Sequence, residues 1–223
     1  MGAIGELQTI LSPAHTRFEP SSIEAVNSAR AGVGLGPEES YLIHVGGNSW
    51  YKNRNGVLRT MAALRQWPGF EDMRLVMVGA PWTREMYAIV AENEMRNAAI
   101  EATGIEDASL RALYTGAQAL LFPSLYEGFG WPVLEAQSCG CVVITSNREP
   151  MTEVAGAAAI LIDPEDPDAA AAEIVKLWPE LEKLRHAGFC NAERFSPEVA
   201  MDAYEAFFRA ESRGGESTSY EMR

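Results

Sequence analysis

Tyr126-Glu127-Gly128-Phe129-Gly130-Trp131-Pro132-Val133-Leu134-Glu135 sets two carboxylates eight positions apart across a glycine loop that leads into a helix. A helix entrance attracts anions, because its first backbone N–H groups have no intrahelical partners. Gly128 and Gly130 free the backbone, Pro132 takes a favoured first helical position, and Glu135 falls in the first turn. Carboxylates beside such an entrance point to a ligand that carries both phosphate and hydroxyl groups. For Glu135 alone, ordinary helix-dipole chemistry is a sufficient account. The whole string with both carboxylates is much harder to explain that way.

Outward from this stretch, apolar runs alternate with amphipathic segments. Strands are expected at 41–45, 75–79, 98–102, 119–122, 142–144 and 157–162. Helices are expected at about 22–31, 55–67, 83–95, 107–114, 132–138, 167–178, 180–188 and 197–210. Strands that are apolar throughout, each followed by a helix, imply an α/β fold with a mostly parallel sheet covered on both faces. Residues 1–40 read as a linker and leading helix, 41–210 as one domain and 211–223 as a flexible tail.

The bulk numbers agree with one such domain. Of 223 residues 47% are hydrophobic and 22% charged, a globular balance. The net charge of −13 and the lack of a basic run argue against nucleic acid as a partner. Cys139-Gly140-Cys141 lacks zinc-site spacing, and with Cys190 it reads as free thiols, buried rather than reactive, in a reducing compartment. No metal is expected, and the location expected is cytoplasmic. The acidic run from Asp163 to Asp168 has no glycine spacing for a calcium loop and reads as a solvated turn. His44 reads as a satisfied interior histidine, and the Met and Trp residues on helical faces as core.

Ligands of open α/β sheets bind at the carboxyl ends of the strands. Two loops lie there. One is the opening stretch. The other is Gly46-Gly47-Asn48-Ser49-Trp50-Tyr51-Lys52-Asn53, where glycines admit close backbone approach and Lys52 precedes a helix. Taken alone, Lys52 reads as a solvated lysine in an Asn/Gly turn. Taken together, the two loops suit a nucleotide sugar. A phosphoacceptor sheet would need an acidic cluster after the first strand, and a dehydrogenase would need G-x-G-x-x-G at Gly46; neither is present.

Glu127-Gly-Phe-Gly-(x)-Pro-(x)-(x)-Glu135 resembles the E-x7-E signature of retaining, nucleotide-sugar-dependent glycosyltransferases of the GT-B fold, group 1 (family 4). Val45-Gly46-Gly47 with Lys52-Asn53 resembles the family's diphosphate loop. Leu110–Tyr114, Ala119–Ser124, Ala136–Ser146, Glu153–Gly156 and Ile162–Pro164 continue the series, over roughly residues 41–210. The resemblance implies a Rossmann-like sheet that forms one half of a GT-B architecture, the carboxyl-terminal donor-binding half. It implies that Glu135 bonds the ribose and that Lys52 holds the diphosphate. Glu127 and the backbone of Gly128, Phe129 and Gly130 would hold the sugar and distal phosphate. Gly46, Gly47 and Asn48 would line the diphosphate loop, and Gly104 would lie near the base. Lys52 and Glu127 are the candidate catalytic residues.

No cofactor or metal is implied beyond the nucleoside-diphosphate sugar. Transfer would need an amino-terminal acceptor-binding domain or separate subunit, and an unpaired half would expose an apolar face prone to self-association. The alternative is a nucleotide-sugar or partner-binding module without catalysis. One departure stands out. Many members carry Arg where this chain has Gly47, and Arg54, Arg84 and Arg148 are the candidates to compensate.

Overall fold

The computed structural model describes residues 18–214. Six strands form one parallel sheet in the order β3-β2-β1-β4-β5-β6. They are β1 (Tyr41–Gly46), β2 (Arg74–Gly79), β3 (Ala99–Ala102), β4 (Ala119–Phe122), β5 (Val142–Ser146) and β6 (Ala159–Ile162). This is the expected α/β sheet with helices on both faces. Its strands are mostly apolar because both faces are covered, with His44 in β1 and Glu101 in β3 as interruptions.

Two cores result. Alternate residues of β5 show the division: Val142 and Ile144 enter one core, Val143 the other. The first core is built from α2 (Arg54–Leu64), α3 (Arg84–Glu92) and α7 (Pro167–Leu177). Val57, Leu58, Met61 and Leu64 of α2 are all fully buried, as their spacing predicts. Each such side chain contributes about 1.5–3 kcal/mol relative to exposure. The second core takes in α4 (Asp107–Gly116), α5 (Trp131–Ser138) and α6 (Met151–Ala155). Against α4 packs α1 (Ile23–Gly32), capped by Ser22 as expected, and against α5 packs α8 (Leu181–Glu193).

Several expectations shift. Helix α6, a single turn and a half, is too short to show a period and was not anticipated. Helix α8 runs to Glu193, and α9 (Pro197–Gly214) passes the expected end at Ala210. The tail from residue 215 and the segment 1–17 lie outside the described residues. Cys139 and Cys141 are buried as expected, but Cys190 is exposed, on the outer side of α8. Met201 is exposed on α9, not core. Asp166 does more than solvate its turn, since its carboxylate accepts the Ala169 N–H at 3.0 Å and caps α7.

Where β1 and β2 end, Gly79 has φ +140° and passes so close to Gly46 that a Cβ would lie 2.1 Å from the Gly46 oxygen. Gly47, next in line, faces open space. Gly79→Ala is therefore expected to cost about 2 kcal/mol or more in urea unfolding. Gly47→Ala should stay within about 0.5 kcal/mol. Equal, small effects at both positions would contradict this packing.

Candidate functional site

Strand β1 pairs with β4 only through Leu42↔Ala119 and Ile43↔Leu120. Beyond that point the chain leaves β1 for α2 on one face and β4 for α5 on the other. The two loops splay apart, and the crevice between them is the topological switch point of the sheet.

Three ties hold the loops together across the crevice. Leu125 N–H donates to the Tyr51 carbonyl at 2.8 Å. Asn53, in the left-handed region at φ 51°, donates from Nδ2 to the Pro123 carbonyl at 3.0 Å and to Pro164 at 2.8 Å. Lys52 Nζ donates to Glu127 Oε1 at 2.7 Å. Lys52 and Glu127, predicted separately, are thus in contact. Their side chains are only 19% and 7% exposed, so solvent screens the pair weakly. Ser124 Oγ also donates to Glu127 Oε1, at 2.8 Å, and the ammonium sits 5.2 Å from the centroid of the Phe122 ring.

The Gly-rich entrance is built as a turn. Gly130 caps α5 with φ 105°, and a Cβ there would lie 2.3 Å from Met151 Cε. Gly128 is open to solvent, whereas Phe129 packs its ring against Trp131 and Phe195, so its backbone is what a ligand can reach. Because α5 begins at Trp131, Pro132 is its second residue and Glu135 its fifth, one residue deeper than expected and just past the first turn. There Glu135 Oε2 accepts from the Tyr114 hydroxyl at 3.2 Å. Burial, then the Glu135 charge, holds the Tyr114 phenol well above its ordinary range, so it remains a donor. Gly104, at φ 66°, is exposed after β3.

Asn48 ties the β1 loop to the next one by donating to the Pro81 carbonyl at 2.7 Å. Arg54 Nη1 donates to Asn48 Oδ1 and to the Ala80 carbonyl. Ser124, Tyr114 and Asn53 were given no role of their own in the sequence; Tyr114 and Asn53 act through partners far away in sequence, whereas Ser124 bonds Glu127 three positions on. Only the Asn-before-helix position of Asn53 hinted at a special backbone.

His44 lies under this loop. Its Nδ1 donates to the Leu121 carbonyl at 3.0 Å, just where the β1–β4 ladder has stopped, while its buried Nε2 has no partner among the described residues. It is half satisfied rather than satisfied. Burial, helped by the Arg54 and Lys52 charges, pushes its pKa down to about 3.

A cavity of about 900 Å³ opens at the amino ends of the strands among Glu39, Ser40, Arg74 and Gln118, and includes none of the crevice residues. It sits at the opposite end of the sheet from the one at which ligands of open α/β sheets bind. Among the described residues no cluster of three His, Cys, Asp or Glu could hold a metal, and no helix is long and apolar enough to cross a membrane.

The sequence pattern of the family described as "Glycosyl transferases group 1" matches residues 26–192. The chain is 34% identical over 167 residues to O-antigen chain mannosyltransferase B of Escherichia coli, covering 71% of this chain and 42% of that protein. It is 32% identical over 204 residues to D-inositol 3-phosphate glycosyltransferase of Segniliparus rotundus, covering 84% and 44%. The chain therefore spans less than half the length of these relatives. In fold it is similar to sucrose-phosphate synthase from Thermosynechococcus elongatus, with TM-score 0.72, 23% identity and coverage of 93% and 53% of the two chains. A glycosyltransferase from Rickettsia africae gives TM-score 0.77 at 15% identity, covering 90% and 55%.

A folded-state histidine pKa near 3 against an unfolded value of 6.5 means that the unfolded chain binds the extra proton between those values. The stability that the neutral imidazole contributes is complete above pH 6.5 and is lost as pH falls toward 3. The loss approaches about 1.4 kcal/mol per pH unit. His44→Asn, which keeps a donor near Nδ1, should flatten that part of the stability–pH curve. Parallel curves for wild type and variant from pH 6.5 to 4 would contradict the neutral buried state.

Proposed function

The chain belongs to the group 1 glycosyl transferase family, and from that footing we propose that it is the nucleotide-sugar-binding half of a retaining GT-B enzyme. The donor is a nucleoside-diphosphate hexose. The observation that carries this reading is the Lys52–Glu127 pair, 2.7 Å apart in the crevice between β1 and β4. The named relatives, a mannosyltransferase and a glycosyltransferase, agree with it.

The pair gives its members unequal work. Lys52 faces the diphosphate, whose negative charge grows as the bond to the sugar breaks. A unit charge at ~4 Å is worth roughly 4 kcal/mol at an effective dielectric of 20, and the growth in charge makes Lys52 count more in the transition state. Among the described residues, both hydrogen bonds to Glu127 fall on Oε1. Its second oxygen can then accept from a sugar hydroxyl, while the amides of Gly128, Phe129 and Gly130 meet the distal phosphate. Glu135, oriented by Tyr114, accepts from the ribose hydroxyls. Gly46, Gly47 and Asn48 give the diphosphate a close backbone wall, and Gly104 admits the base. In this reading charge stabilisation comes from Lys52 and amides, with no divalent ion.

Transfer needs an acceptor-binding half. Helix α9 exposes Val199, Met201, Tyr204 and Phe208, an apolar surface for that half or for a second copy to cover. Three free cysteines fit a reducing, cytoplasmic location.

Isothermal titration of the chain with UDP, GDP, ADP and TDP sugars should show binding of one base class; binding of none would remove the donor-site reading. In the completed enzyme Lys52→Ala should lower kcat by about ten- to a hundredfold. Glu135→Ala should mainly raise KM, by about tenfold. Equal kcat losses from both variants would contradict this assignment of roles.

A further inference from the structure

With Gly47 in the position where a cation is expected, the three candidate arginines separate clearly. Arg148 is taken by Glu165 and lies 3.7 Å from Asp163. Arg84 is exposed at the first position of α3. Arg54 is only 4% exposed and opens α2 directly beside the crevice loop.

Arg54 grips that loop. Its Nη1 forks between the Asn48 side-chain oxygen and the Ala80 carbonyl, and Asn48 passes the constraint on to Pro81. The rest of the guanidinium is unspent: Nε and Nη2 are buried without a partner among the described residues. No carboxylate among those residues comes within ion-pair distance of it. The acid whose charge it senses is Glu101, whose two oxygens already accept from Trp82 N and the Tyr87 hydroxyl. A buried guanidinium with neither a counter-ion nor a full set of acceptors is costly in the empty protein. An anion held on the other side of the loop offsets that cost. The neighbouring neutral His44 leaves Arg54 and Lys52 as the positive charges at this end of the β1–α2 connection.

We propose that Arg54 stands in for the loop cation absent at Gly47: it fixes Asn48, and with it the diphosphate wall, and its charge favours a diphosphate over a monophosphate. This rests on the donor-site reading. Arg54 is a positioning residue that acts through the loop and does not touch the donor.

The test is isothermal titration of the full chain with the pairs UDP/UMP, GDP/GMP, ADP/AMP and TDP/TMP, on wild type, Arg54→Met, Arg54→Lys and Asn48→Ala. Arg54→Met should weaken the bound diphosphate by about tenfold and shrink its advantage over the monophosphate. Arg54→Lys keeps the charge but not the fork, and should retain most of that advantage. Asn48→Ala keeps the charge but not the clamp, and should weaken both nucleotides about equally. A melting temperature close to wild type certifies each variant as folded. If Arg54→Met does not fold, the decision rests on Arg54→Lys, and loss of the diphosphate advantage there overturns the proposal. So does an unchanged advantage in a folded Arg54→Met. Wild type that binds none of the diphosphates removes the donor-site reading and this inference together, whereas binding with an Arg54-independent advantage removes this inference alone.

Discussion

The parting of β1 from β4 after Ile43 and Leu120 is the constraint on which the rest of the molecule turns. Helices that leave on opposite faces force their loops apart, and an open crevice would leave both loops free to wander. The Tyr51–Leu125 backbone bond, the Asn53 bridge and the Lys52–Glu127 pair close that freedom from three directions. A buried ion pair contributes little net stability, because desolvation offsets most of its Coulomb attraction. Its value here is geometric. It fixes an ammonium and a carboxylate at one point between two loops before a ligand arrives, so less ordering remains to be done on binding.

The electrostatics of the crevice run against those of the chain. A net charge of −13 repels an anionic ligand at long range, though salt limits that reach to about 8 Å under physiological conditions. Attraction has to be local. Lys52 supplies a charge in the crevice, Arg54 a charge behind the loop, and the α5 entrance a set of backbone dipoles. Glu127 prevents Lys52 from swinging into solvent and presents an acceptor beside it. Glu135, which accepts from the Tyr114 hydroxyl, is the second carboxylate on the α5 side of the crevice.

Much of this could be read from the residues. Parallel strands covered on both faces are largely apolar runs, which is why all six strands were located to within one or two residues. The amphipathic helices followed from their spacing, and α1 also from Ser22 as its cap, whereas the Thr83 cap of α3 is seen only in the structure. Both site loops were legible because glycine, proline and lysine are informative at strand ends. The rest depends on partners brought together by the sheet order. That Lys52 meets Glu127, 75 positions away, is a property of β1 and β4 being neighbours. Likewise Tyr114 looked like any helical core residue until α4 was set beside α5. Glu135 was placed one residue too early in the helix because Gly130, with its positive φ, starts the helix at Trp131 and not at Pro132. Helix α6 and the exposed Cys190 and Met201 have no signal in a single period or in residue type.

The most direct test of the crevice as the donor site is amide hydrogen exchange of the chain with and without a bound nucleoside-diphosphate sugar. Protection is predicted in residues 46–53, around Gly104 and in 123–131, with no change around Glu39, Ser40 and Arg74 at the opposite end of the sheet. Protection confined to that opposite cavity, or binding that leaves the two loops exchanging as before, would contradict the account.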